Sequence, residues 1–136
     1  MDNLSAEQRS HCMARIRSQG SQPERLVERF IKEGGYKIKD HWKALPSRPD
    51  FVLVQERKVV FVNGCYWHYH HCRYGRVQPR TNAGYWNAKR LGNRERDRRT
   101  RAKIRRLGWK VFVVWECWLR VPGKMEKQLG EYLHQG

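Results

Sequence analysis

Hydrophobic spacing marks out a helix first. Leu26, Val27, Phe30 and Ile31 share one helical face between Pro23 and Glu33. Ser21 or Gln22 can cap this helix, Pro23 suits its first position, and Gly34-Gly35 stop it. Tyr36 to Trp42 alternates around Ile38 and predicts an edge-like strand. A turn at Pro46-Ser47-Arg48-Pro49 delivers Asp50 to the head of Phe51-Val52-Leu53-Val54. That nearly continuous apolar run is typical of a central strand. Gln55-Glu56-Arg57 turns the chain, Lys58 to Val62 returns as the next strand, and Asn63-Gly64 ends it.

The pattern changes after Cys72. Arg73 to Gly84 is a loop rich in Gly, Pro and Arg. Tyr85 to Leu107 predicts a helix broken at Gly92-Asn93, with Asn93 capping the second piece. Gly108 closes it, and Trp109 to Trp115 predicts a strand around Val111-Phe112-Val113-Val114. Met125 to His134 predicts a last helix. The order helix, three strands, helix, strand, helix predicts a small α/β sheet with helices on both faces. At 136 residues the chain suits one domain, with residues 1–22 as a basic arm and 23–136 as the core.

Charge narrows the partners. Twenty-nine Lys and Arg against 13 Asp and Glu give a net charge of +16. A compact domain this basic repels itself unless a polyanion balances it. Nucleic acid fits best, because arginine forks match phosphates and release counterions. No apolar run approaches the roughly 18 residues that would span a bilayer. The N-terminus lacks a signal-peptide core, so we expect a cytoplasmic, nucleoid-associated protein with no membrane partner. Its cysteines are then reduced thiols or metal ligands rather than disulfides. Cys12, on the arm, reads as a free thiol.

Candidate chemistry concentrates between Asn63 and Cys72, where Cys65, Tyr66, Trp67, His68, Tyr69, His70, His71 and Cys72 follow one another. A structural zinc takes four tetrahedral N or S ligands. Cys65, Cys72 and Cys117 with one histidine supply them. His70 shares a side with Cys72 if the chain is extended, but His68 and His71 remain alternatives. Asp50, entering a central strand, is costly unless it binds a cation or donors. Many metal-dependent nucleases hold a divalent metal on such an Asp and add an acidic residue and a lysine from the next strand. Here that strand offers Val62-Asn63-Gly64 and then His68. His68 is therefore the economical general base, and Mg²⁺ on Asp50 would stabilise charge on the phosphate. Tyr66, Trp67 and Trp86 could stack on or wedge between bases. Trp109 and Trp115 read as core, and on composition alone Trp86 leans the same way.

Several motifs together resemble one family. They are Arg48-Pro49-Asp50-Phe51, Gly64-Cys65-Tyr66-Trp67-His68-x-His70-His71-Cys72, Asn93-x-Glu95-Arg96-Asp97-Arg98-Arg99, Leu107-Gly108-Trp109-Lys110-Val111 and Val114-Trp115-Glu116-Cys117. In this order, from Arg9 to about Arg120, the chain resembles the very-short-patch-repair (Vsr) mismatch endonucleases. The resemblance implies a PD-(D/E)xK restriction-endonuclease-like mixed sheet with a structural zinc. It implies Mg²⁺-dependent nicking of double-stranded DNA, 5′ to the thymine of a T:G mismatch; separately, we expect a monomer. It puts the metal-binding aspartate at Asp50, the general base at His68 with Asp97 behind it, and an essential glutamate at Glu24. It puts the zinc ligands at Cys65, His70, Cys72 and Cys117. Intercalating aromatics fall on Tyr66, Trp67 and Trp86, mismatch contacts on Lys89 and Asn93, and an arm methionine on Met13. The chain departs from the family's best-known form at Val62-Asn63, where Thr-His is usual, although the Val62 carbonyl can still bind metal. Tyr66 replaces a phenylalanine, Tyr69 interrupts the histidine run, and the loop from Cys72 to Trp86 differs. Two further possibilities are a Vsr-like nuclease of different mismatch, deaminated-base or sequence scope, and a zinc-stabilised DNA-binding module without catalysis.

Overall fold

A computed structural model describes residues 21–135. Met13 and Cys12, and with them residues 1–20 of the arm, lie outside the described residues. The first helix, α1, spans Gln22–Glu33. Ser21 caps it by accepting from the Glu24 N–H at 3.4 Å, and Pro23 sits in its first turn. Beyond it Gly35 takes φ +89, a conformation glycine adopts cheaply.

Four strands follow: β1 Lys39–Asp40, β2 Phe51–Leu53, β3 Lys58–Asn63 and β4 Lys110–Trp115. They form one sheet in the order β1-β2-β3-β4. The first two pairings are antiparallel and β3–β4 is parallel. The crossover that a parallel pair requires is the long helix α2, Ala83–Arg106. A 3₁₀ turn, Glu116–Arg120, leads from β4 toward the last helix, α3, Lys124–His134.

The sheet is buried on both faces, which explains its near-continuous apolar strands. Phe51, Leu53, Val60 and Val114 pack on one face with Val27 and Ile31 of α1 and Met125, Leu129 and Leu133 of α3. Val52 and Val59 pack on the other with Ile104 of α2, Leu45 and Trp109. A helix-flanked mixed sheet thus agrees with the expectation. Lys58 lies on the α3 face, and its buried ammonium donates to the carbonyls of Tyr132, Leu133 and Gln135 at 2.8, 3.0 and 2.6 Å. It closes the C-terminal end of α3, where helix carbonyls lack partners.

Three local expectations are corrected. The edge strand shrinks from Tyr36–Trp42 to Lys39–Asp40, because the chain turns at His41 with φ +46. The long helix is unbroken, so Asn93 is not a cap; its side chain donates from mid-helix to the Trp67 carbonyl at 3.2 Å. The segment from Gly64 to Cys72 is not extended but folded by turns, with Tyr69 at φ +52. His68 N–H donates to the Gly64 carbonyl and His70 N–H to the Cys65 carbonyl. Among the described residues no helix is long and apolar enough to cross a membrane.

Candidate active site and metal centre

The turns after β3 gather the thiols. One ligand atom each from Cys65, His70, Cys72 and Cys117 lies within 4.8 Å of the others. Cys117 arrives from the 3₁₀ turn after β4, because the parallel β3–β4 register sets Asn63 beside Trp115. Turns, rather than an extended chain, bring His70 into the group. His71 and His68 are outside it. His70 Nδ1 is 3.7 Å from Cys117 Sγ, and its ring stacks on Trp115 at 4.0 Å and 14°. Trp115 therefore backs a candidate ligand and is only half-buried, unlike the core residue expected.

This donor set fits a tetrahedral N/S ion such as zinc. Backbone N–H groups already point at two sulfurs: Cys117 N–H to Cys65 Sγ at 3.3 Å and Gly75 N–H to Cys72 Sγ at 3.4 Å. Burial pushes the Cys65 and Cys117 thiols up. Burial opposes ionisation of Cys72 too, but the donors around it bring that thiol down. Burial, then His71 and Lys124, keep His70 below its ordinary value, in the neutral form that binds metal. Gly75 is obligatory here, since a Cβ on it would sit 1.9 Å from the His70 carbonyl oxygen.

Next to this cluster opens a cleft of about 650 Å³. Asp50, Val62, His68, Asp97 and Glu24 all line it, joined by His41. Val62 lies beyond the last β2–β3 pair, Phe51↔Val60, and its N–H goes to Asp50 Oδ2 at 2.7 Å. In an extended strand a residue's N–H and C=O project to the same edge. The Val62 carbonyl thus faces the Asp50 side. Burial raises the Asp50 carboxyl to about 6; the Val62 bond opposes this and the charge of Glu24 adds to it. Glu24, His41 and Asp50 each offer a ligand atom within 4.8 Å of the others. Two carboxylates and a strand-edge carbonyl are hard oxygen donors, as Mg²⁺ requires.

His68 lines the same cleft. Its Nδ1 is hydrogen-bonded to Asp97 Oδ2 of α2. A carboxylate accepts, so Nδ1 is the donating nitrogen and Nε2 is turned away from Asp97. That arrangement suits a general base whose orientation a carboxylate fixes. Asn63, buried at the end of β3, lines the same cleft.

The aromatics form a packed cluster rather than an open platform. Trp67 and Trp86 are 5% and 3% exposed, with centroids 5.8 Å apart. Tyr66 tilts against Trp67 at 5.9 Å. Tyr66 Oη and Trp86 Nε1 are buried with no hydrogen-bond partner among the described residues. Lys89 is exposed, its ammonium 5.7 Å from the Trp86 ring, whereas Asn93 is buried.

Two residues of this region escaped the sequence. Arg90 is fully buried. It donates to the carbonyls of Tyr66 at 2.7 Å, Val77 at 3.1 Å and Gly75, and lies over the rings of Tyr66 and Tyr69. Its only signal is position: with Trp86, Asn93, Asp97 and Ile104 it falls on one 3.6-residue stripe. His41 carries no signal at all, because a turn rather than a periodic element aims it at the cleft.

Comparisons with known proteins agree on a kind of activity. The family model described as DNA mismatch endonuclease Vsr matches residues 1–74. The type II nicking enzyme V.XorIIP of Xanthomonas oryzae pv. oryzae is 41% identical over 132 residues, covering 97% of this chain and 96% of its own. The DNA mismatch endonuclease Vsr of Escherichia coli K12 is 38% identical over 128 residues, covering 93% and 81% respectively. The type II nicking enzyme V.NmeAIP of Neisseria meningitidis serogroup A is 36% identical, covering 98% and 95%.

Proposed function

This chain belongs to the Vsr family of DNA mismatch endonucleases, and from that membership we propose that it nicks one DNA strand 5′ to the thymine of a T:G mismatch, using Mg²⁺. The observation that carries the proposal is a single cleft shared by Asp50, Glu24 and the His68–Asp97 pair. Asp50 and the Val62 carbonyl would hold the metal, with Glu24 beside them. Bound there, Mg²⁺ would neutralise charge on the scissile phosphate and the leaving oxygen. His68 Nε2 would take the proton of the attacking water, and Asp97 would hold the resulting imidazolium. Cys65, His70, Cys72 and Cys117 would carry a structural zinc that fixes the turns on which His68 stands.

Mismatch preference would follow from pairing energy. A mispaired base is cheaper to unstack than a paired one. Tyr66, Trp67 and Trp86 would wedge at the mispair, with Lys89 and Asn93 against its bases and Met13 entering from the minor groove. The burial of Trp67 and Trp86 means that the aromatic cluster would open as DNA binds. The unsatisfied Tyr66 Oη and Trp86 Nε1 favour such opening, because each loses hydrogen bonding while buried. We read residues 23–136 as a core of the PD-(D/E)xK kind and 1–22 as its DNA-gripping arm.

A second reading concerns scope. The relatives named as type II nicking enzymes, and the differing loop between Cys72 and Trp86, favour a flanking sequence of the chain's own. The test of catalysis is Asp50→Ala. It should abolish Mg²⁺-dependent nicking and leave binding of mismatched duplex within a few-fold. Nicking at the wild-type rate would remove Asp50 from the chemistry. Binding without nicking in the wild type would leave a zinc-containing DNA-binding module.

A further inference from the structure

His41 sits where β1 ends, with its backbone in the left-handed region at φ +46. A residue with a Cβ rarely adopts that conformation unless its surroundings impose it. Its N–H donates to the Asp50 carbonyl at 3.3 Å, which ties this turn to the entry of β2. The same turn aims the imidazole into the cleft, 3.6 Å from Nε2 to Glu24 Oε2. That separation is long for an N–H···O hydrogen bond. It suits two donors sharing one ion, which at bonds of about 2.1 Å stand roughly 3–4 Å apart. Glu24 comes from α1, His41 from the turn after β1, and Asp50 from the head of β2. Three separate elements thus converge three ligand atoms to within 4.8 Å.

We propose that His41 is a direct ligand of the catalytic metal, together with Asp50 and Glu24, so that this site holds one imidazole nitrogen among its oxygens. The inference rests on the metal-dependent nuclease reading above. First-row transition ions, Mn²⁺ included, accept an imidazole nitrogen more readily than Mg²⁺, which demands oxygen ligands. The site should therefore bind Mn²⁺ in preference to Mg²⁺ by a wider margin than oxygen ligands alone would give.

Pulsed electron paramagnetic resonance tests this on the full-length, zinc-loaded chain with one equivalent of Mn²⁺. The spectrum should show modulation from a directly bound ¹⁴N, and labelling with ¹⁵N-histidine should replace it with the ¹⁵N pattern. The signal should vanish in His41→Gln and persist in His68→Gln. Mg²⁺ competition should show that His41→Gln loses the extra Mn²⁺ preference of the wild type. Zinc content and a thermal melt verify that each variant is folded. Bound Mn²⁺ without a histidine signal would overturn the inference, and so would a signal lost in His68→Gln; both would leave metal-dependent nicking intact. Failure of the wild-type chain to bind Mn²⁺ at all would overturn the nuclease reading as well.

Discussion

Asp50→Asn should stabilise the metal-free protein at neutral pH while removing its nicking activity. Burial is the main reason the Asp50 carboxyl rises from its ordinary 3.8 to about 6, with Glu24 adding repulsion and the Val62 N–H opposing. The folded chain therefore binds this proton more tightly than the unfolded chain. Its contribution to stability is full below about pH 4, declines from there to pH 6, and is lost above. At about 1.36 kcal/mol per pH unit, the gap amounts to about 3 kcal/mol. Asparagine relieves that penalty, and its carbonyl oxygen can still accept from Val62. Urea denaturation of zinc-loaded protein, with no other divalent metal, measures the effect from pH 4 to 8. The variant's advantage should grow from near zero at pH 4 to as much as about 3 kcal/mol at pH 8. Mg²⁺ at about 100 times its dissociation constant should return about 2.7 kcal/mol to the wild type and nothing to the variant. A difference that does not change with pH would refute a carboxylate destabilised by burial.

Elemental analysis of purified protein should find about one zinc per chain. Gly75→Ala should lower both the zinc content and the melting temperature, because its Cβ would meet the His70 carbonyl at 1.9 Å; full occupancy would show that the turn yields easily. Asp97→Asn should slow nicking by roughly 10²–10⁴-fold, because His68 loses the carboxylate that orients it, with duplex affinity little changed. Arg90→Ala should destabilise the fold by about 3 kcal/mol or more, measured by denaturation, since it strips donors from the carbonyls of Tyr66 and Val77 and leaves a buried cavity.

The three long apolar runs were legible because the sheet is covered on both faces, so Val52 and Val59 are as buried as Phe51 and Val60. The four members of the Cys–His cluster were legible by residue type, but turns and not an extended chain place His70 among them. The long helix was misread because its inward stripe includes Arg90, Asn93 and Asp97. Polar residues there hide the helical period, so Gly92-Asn93 looked like a break. Asp50 and His68 could be named, but their shared cleft depends on strand register, which a one-residue slip would undo. His41 was invisible, because its place comes from a left-handed turn in a segment that alternation assigned to a strand.

One nicking experiment bears most directly on the function. A duplex carrying a single T:G mismatch, labelled separately on each strand, is incubated with the protein and Mg²⁺ and the break is mapped at nucleotide resolution. The expected product is one nick in the thymine strand, immediately 5′ of the mispaired base, with the guanine strand and the fully paired duplex intact. Equal cutting of the paired duplex, or cutting of both strands, would contradict mismatch-directed nicking.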